Sequence, residues 1–225
     1  MKPQVVFEDN HLLVVNKPVN MPVQADASGD LDLLTICKQY IKEEYNKPGN
    51  VYLGLVHRLD RPTGGALVFA RTSKAASRLA KQLQRHKMDR EYMAVVHGHI
   101  KQMSGKLENY LIKDHQKNIV SVVDKKTKGA KKAILTYEVI GYAEEFTLVN
   151  VRLHTGRSHQ IRVQFSHLGH PLYGDQKYGA KINKPGQQLA LWGSKLAFKH
   201  PTLKDLMTFH SEPPLTYPWS LFNNE

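Results

Sequence analysis

A single carboxylate set among cations is the first place in this chain where chemistry suggests itself. In VHRLDRPTGGALVFART, residues 56–72, Asp60 stands between Arg58 and Arg61, just ahead of Thr63-Gly64-Gly65. With HRLD extended, Arg58 and Asp60 share one face, because side chains alternate along a strand. Nearby positive charge favours the ionised carboxylate, which can serve as nucleophile, general base or metal ligand. The same residues also describe a turn. An aspartate before Arg-Pro-Thr-Gly-Gly can bond the backbone two residues on and organise a reversal with no chemistry at all. The motif alone leaves both readings open.

A second concentration of donors lies in RLHTGRSHQIR, residues 152–162. Arg152, Arg157 and Arg162 come with Thr155, Ser158 and Gln160, around a glycine, Gly156, that lets a backbone approach closely. Such a set suits a phosphate-rich ligand, above all where a following helix turns its amino terminus toward it. The alternative is a charged turn with one arginine paired internally; the density of donors favours the ligand. Tyr92, in DREYMAVVHG, is either a buried aromatic or a platform for an unpaired base. His154, His159, His167 and His170, with Asp175 behind them, invite a metal. None has His-Glu-x-x-His spacing, and the only cysteine, Cys37, cannot build a thiolate site, so no metal is expected.

The elements that must position these groups follow from periodicity and turn chemistry. VVFED and HLLVVNKP read as a short strand pair turning at Asp9-Asn10. LDLLTICKQYIKEEY reads as a helix capped by Asp30, with Leu31, Leu34, Ile41 and Tyr45 near helical spacing. VYLGLVH and GALVFART are strands on either side of the Asp60 turn. Ser73 caps a helix, SKAASRLAKQLQRHK, with a basic outer face. Strands follow at EYMAVVHGHI, IVSVV, AILTYEVIGY, FTLVNVRLHTG and LALWGSKLAF. The spacing of Ile161, Phe165 and Leu168 makes SHQIRVQFSHLG a helix. KDHQKN and DKKTKGAKK, within 113–132, are lysine-heavy loops, either a solvated hairpin tip or an arm that contacts a polyanion. With no linker or repeat, residues 1–225 read as one α+β domain around a large mixed or antiparallel sheet. No GxGxxG or GxxxxGK[ST] motif points to a nucleotide cofactor.

Composition narrows the class of ligand. Thirty-two Lys+Arg against 20 Asp+Glu leave a formal charge of +12, which attracts polyanions, nucleic acid foremost, or else marks a solvated basic surface. The 41% hydrophobic and 23% charged fractions are those of a soluble globular protein. No apolar run nears the roughly 18 residues of a membrane span. Glu8 and Asp9 interrupt the first apolar stretch, which is unlike a signal peptide. A cytoplasmic protein without a membrane partner is expected.

Taken together and in order, HRLDRPTGGALVFART (57–72), DREYMAVVHG (89–98), RLHTGRSHQIRVQFSHLGHPLYGDQKYG (152–179) and, more weakly, LALWGSKLAFKHP (189–201) resemble the RluA-type family of RNA pseudouridine synthases. The resemblance implies a cofactor-independent isomerase that detaches uracil from its ribose and reattaches it through C5. It implies a single pseudouridine-synthase-like domain, with a mixed, largely antiparallel sheet flanked by helices and a basic cleft across it. The family's catalytic aspartate falls on Asp60, its base-stacking tyrosine on Tyr92, and the arginine paired with the aspartate on Arg162. RNA contacts are expected from Arg58, Arg61, Arg157, His159 and Gln160. The partner would be ribosomal or transfer RNA and the protein a monomer.

Two departures stand out. Thr63-Gly64-Gly65 replaces the usual Thr-Ser-Gly, keeping a tight turn but losing a hydroxyl. Trp192-Gly193 replaces a usual His-Ala, which removes any role of that histidine. The chain begins directly with the catalytic domain, so the amino-terminal S4 domain of many relatives is expected to be absent. Two other readings remain at this point: a catalytically silent RNA-binding module on the same fold, and a metal-dependent phosphodiesterase built on the histidines.

Overall fold

The computed structural model describes residues 2–223. Among them the chain forms β1 (Gln4–Glu8), β2 (Leu12–Lys17), α1 (Leu33–Glu44), β3 (Gly54–Leu55), β4 (Gly64–Ala70), α2 (Ser73–Gln84), β5 (Asp89–His97), β6 (Ser104–Asp114), β7 (Ile119–Val123), β8 (Lys131–Ala143), β9 (Phe146–Leu153), α3 (Gln160–His167), β10 (Leu191–Lys199), β11 (Leu206–His210) and a 3-10 turn (Trp219–Phe222). The class is α+β, as the sequence suggests. Contacts between Cα atoms gather the chain into two compact units, Met1–Arg90 with Gly193–Glu212, and Glu91–Trp192 with Pro213–Glu225.

In the first unit β2 pairs antiparallel with both β1 and β4, and β3 also pairs with β4. β10 lies on the other side of β4 and pairs antiparallel with β11. Asp9 closes the β1–β2 turn as expected, its carboxylate accepting the N–H groups of His11 and Leu12, both at 2.7 Å. β4 is buried on both faces along its whole length, which is why it reads as an unbroken apolar run. One face packs Leu12, Val14, Ala66, Val68, Leu196 and Phe198 against Ala75 and Leu79 of α2.

Three local expectations are corrected here. Asp32 caps α1, its carboxylate taking the Thr35 N–H at 3.0 Å and the Thr35 hydroxyl at 2.8 Å; Asp30 is spent on Arg61. The buried stripe is therefore Leu33, Ile36, Cys37 and Ile41, while Leu31 and Tyr45 are exposed. Burial, followed by the charges of Asp32 and Glu8, pushes the Cys37 thiol up to about 12, so it stays a protonated core group. Thr72 rather than Ser73 caps α2, accepting from the Ala75 N–H at 3.1 Å. The strand expected over VYLGLVH shrinks to Gly54–Leu55.

In the second unit the antiparallel order is β5-β9-β8-β6-β7. β6 is an eleven-residue strand, SGKLENYLIKD, that its polar residues conceal in the sequence. Register places Tyr92, Val151, Tyr137 and Gly105 in one row across the sheet. Side chains in such a row share a face. The Tyr137 ring lies over Gly105, so a Cβ there would strike it at 2.7 Å. α3 covers this face: Phe165 meets the Tyr137 ring edge-on at 5.6 Å, and Val163 joins Leu111, Val120 and Ala133. On the opposite face Val95, Phe146 and Leu148 pack with Tyr173, Ala190 and Trp219. The proline-rich tail thus carries two elements, β11 in the first unit and the 3-10 turn in the second.

Candidate active site

The HRLD segment belongs to no strand, yet its burial alternates: His57 and Leu59 point inward, Arg58 is exposed and Asp60 half-buried. His57 anchors it, accepting the Val68 N–H on Nε2 at 3.3 Å. Burial, then the charge of Arg90, drives the His57 ring down to about 3, so it remains neutral. The turn that follows is closed by main chain, Thr63 N–H donating to the Asp60 carbonyl at 2.9 Å. The residue two positions after Asp60 is Pro62, which has no N–H for an aspartate side chain to take. The simplest turn-forming role of this carboxylate is therefore removed.

The residue that sequence reasoning missed is Lys17. It ends β2 opposite Gly65 and is fully buried. Its Nζ donates to the carbonyls of Pro18 at 2.8 Å and Arg61 at 3.0 Å. It thereby ties the end of β2 to the residue next to Asp60. Burial brings the ammonium down to about 7, with the charge of Asp60 pulling it up and that of Arg61 pushing it further down. The available signal was a lysine closing an otherwise apolar strand, immediately before a proline.

The unfolded chain restores a lysine near the ordinary 10.5. Between those two values the unfolded state binds a proton that the folded state lacks, so stability rises with pH across that window. Urea unfolding should show wild type gaining on Lys17→Met between about pH 7 and pH 10. Parallel curves would mean that Lys17 keeps its proton throughout.

Of the flanking arginines, Arg58 makes no side-chain hydrogen bond or ion pair among the described residues. Arg61 donates to the Ser28 hydroxyl at 2.9 Å and pairs with Asp30 and Asp26. Its charge is shared with the loop it restrains.

In the second unit Arg162 is buried, and Asp175 grips it bidentately, accepting from Nε at 2.8 Å and from Nη2 at 2.7 Å. Asp175 also takes the N–H groups of Lys177 and Tyr178 at 2.9 and 3.1 Å. Burial would raise this carboxyl, but the Arg162 fork and charge and the two N–H groups outweigh it and hold it below the usual range. Arg162 also lies over the Tyr178 ring, 5.3 Å from its centroid. The Tyr178 oxygen accepts the Val120 N–H at 2.9 Å, and its hydroxyl meets Nδ1 of His159 at 2.7 Å. Arg162 and His159 are thus brought together through Tyr178. Tyr92 is nearly buried, at 7% exposure, on the sheet face that α3 covers.

Gln160 is turned inward. Its oxygen accepts from the Thr155 hydroxyl at 2.8 Å and the Arg157 N–H at 3.0 Å, and its amide donates to the Ile134 carbonyl at 3.0 Å. It holds the loop in which Arg157 stays exposed, Arg157 Nε donating to the Lys132 carbonyl at 3.0 Å. The other histidines scatter: His154 meets the Thr136 hydroxyl and His170 the His97 carbonyl. The described residues contain no group of three or more His, Cys, Asp or Glu placed to hold a metal ion.

Comparison with known proteins gives this arrangement a family. The model of RNA pseudouridylate synthases matches residues 11–167. The chain belongs to that family. An RNA pseudouridine synthase of Mycoplasma genitalium is 35% identical over 215 residues, covering 94% of this chain and 67% of that one. The ribosomal large subunit pseudouridine synthase D of Zymomonas mobilis is 35% identical over 222 residues, covering 94% and 69%. These relatives place it among the RluA-type pseudouridine synthases, isomerases of uridine in RNA. Human RNA pseudouridylate synthase domain containing 1 superposes with a TM-score of 0.77 over 96% of this chain and 85% of its own. At 21% identity that likeness speaks for the shared fold.

The Gly64 departure stands beside a glycine that the family pattern keeps, and the Trp192-Gly193 departure lies against that glycine. Gly65 has φ of +121°, and a Cβ there would fall on the Gly193 backbone. Gly65→Ala should cost about 3 kcal/mol or more in urea unfolding, from strain and overpacking together. At Gly193 a Cβ would meet Leu59 and Ala66 at 3.6 to 3.7 Å, ordinary contact. The alanine usual in this pseudouridine synthase family fits there, and Gly193→Ala should leave stability unchanged or raised by up to about 1 kcal/mol. Trp192 packs beside the cluster containing Val95 and Trp219, a use of the position that a histidine would not fill.

Proposed function

We propose that this pseudouridine synthase acts on ribosomal RNA with Asp60 as its attacking carboxylate, and that residues 1–225 work as one catalytic domain. The observation that carries the reading is the Asp60 turn: a half-exposed carboxylate, with no N–H two residues on, beside the charge of a buried lysine. Asp60 attacks C1′ of the ribose or takes the C2′ proton. The N1–C1′ bond breaks and the uracil anion rotates. C5 then bonds to C1′, either displacing the Asp60 carboxylate from it or as the C2′ proton is returned, and the C5 proton leaves to solvent while N1 takes one up. Arg162 orients the carboxylate with guanidinium donors beyond the two given to Asp175. Tyr92 stacks on the uracil once it is flipped out of its helix. Arg58, Arg61 and Arg157 meet the RNA backbone, while His159 and Gln160 shape the loop that carries Arg157. Relatives named for the large ribosomal subunit favour ribosomal over transfer RNA as the substrate.

We place the activity in the cytoplasm, in a monomer needing neither metal nor cofactor. The test is tritium release from ribosomal RNA labelled at uracil C5, prepared from cells lacking this protein. Release, undiminished by EDTA, is expected with ribosomal RNA and not with transfer RNA. Release from transfer RNA alone would move the substrate there, and release from neither would end the proposal.

A further inference from the structure

We infer that a basic groove on the second unit binds a phosphodiester of the substrate RNA; this rests on the chain being an RNA-modifying enzyme. The groove, about 430 Å³, runs between the β6–β7 hairpin and the turn ahead of α3. Its basic lining is Lys113, His115, Lys131 and Arg157, with Ser158 beside them and no carboxylate among the lining residues. The nearby acids bond groups outside the lining, although the charge of Asp114 also reaches His115. Asp114 caps the hairpin turn through the N–H groups of Gln116 and Lys117. Asp124 takes the Lys126 N–H. Glu108 pairs with Lys106 and Lys132. Neighbouring lysines on β8 therefore differ: Lys132 is neutralised, while Lys131 makes no ion pair among the described residues.

The lining is also built for an extended anion rather than a lone ion. Leu111 and Val120 give it an apolar base, which suits a ribose or base packed beside its own phosphate. Gly129 and Gly156 leave room for close backbone approach. The Arg157 wall is set in advance, because Gln160 holds the Arg157 N–H and the Lys132 carbonyl takes its Nε. Its two Nη groups remain as the fork that matches a phosphate. A preset wall loses little freedom when RNA arrives.

The experiment compares wild type with the double variant Lys113→Gln/Lys131→Gln, using a large-subunit ribosomal RNA transcript as the probe. Filter binding over a salt series should show the double variant weakened about 10-fold at 0.15 M salt, its log–log salt slope shallower by about 1.5. Tritium release should show the loss in KM rather than kcat, with the thermal midpoint unmoved. Lys38→Gln/Lys42→Gln, the same charge change on α1, should leave slope and KM as in wild type. An unaltered slope and KM in the groove variant would overturn the proposal, as would an equal loss from the α1 variant. Equal loss of affinity for polyglutamate would also overturn it, since the groove would then serve acidic protein. If wild type binds with a groove-dependent slope but releases no tritium, the activity reading fails and the groove stands. Normal release and binding by the groove variant would reverse that outcome.

Discussion

Asp60→Asn should release no tritium from C5-labelled ribosomal RNA, a loss of at least about 10⁴-fold, as expected when the central group of a covalent or base mechanism is removed. The amide has nearly the volume of the carboxylate but neither its charge nor its basicity. The fold should not notice, because the turn is closed by the Asp60 carbonyl and the Thr63 N–H, both untouched by the change. RNA affinity in filter binding should stay within about twofold, since Asp60 offers no positive charge to a phosphate. Losing Asp60 also removes the charge that pulls the Lys17 ammonium upward, so Lys17 should titrate lower in the variant. Tritium release near the wild-type rate would remove Asp60 from the chemistry.

The second large effect concerns the Arg162–Asp175 pair. Asp175→Ala leaves a guanidinium that is 6% exposed without its bidentate partner, and breaking a buried pair this way costs about 3–5 kcal/mol. Urea unfolding should therefore show the variant severely destabilised. Arg162→Met/Asp175→Leu, which removes both charges and keeps the volume, should recover part of that loss, because no buried charge is left unpaired while the Lys177 and Tyr178 N–H groups lose their acceptor. It should not recover activity, since the proposed reaction needs the Arg162 charge beside Asp60. Recovery of both would mean that the pair serves packing alone. The pair also has a pH signature. The Asp175 carboxyl is held below its ordinary 3.8, so its contribution is complete above that value and is lost as pH falls through the folded one. Acid unfolding of the double variant should lack this component.

The sequence made the site legible where local rules and geometry agree. The Asp9 turn, the α3 helix and the alternation of His57, Arg58, Leu59 and Asp60 are all local, and all appear, although Leu168, expected on the inner face of α3, is exposed beyond its end. What stayed hidden depends on contacts distant in sequence. Lys17 matters because its Nζ reaches Arg61, 44 residues on, and no pattern around Asn16-Lys17-Pro18 says so. Asp30 and Asp32 are equally good caps by type; only the claim of Arg61 on Asp30 separates them. β6 has the period-two alternation of a strand, with Leu107, Asn109 and Leu111 on one side, but lysine, glutamate and asparagine dilute its apolar signal. Resemblance makes Arg162 a partner for Asp60; its grip by Asp175 follows from no spacing in the sequence.

The split of the first unit into Met1–Arg90 and Gly193–Glu212 bears on how the protein is made. β4 is buried on both faces, and part of that cover, Leu196, Phe198 and Phe209, comes from β10 and β11. At a ribosomal pace of about 5–20 residues per second, those strands follow Arg90 by roughly 6 to 25 seconds. Through that interval the side of β4 that β10 later covers is bare, and a bare edge recruits other strands. The part of the chain synthesised first therefore stays open until synthesis is nearly complete.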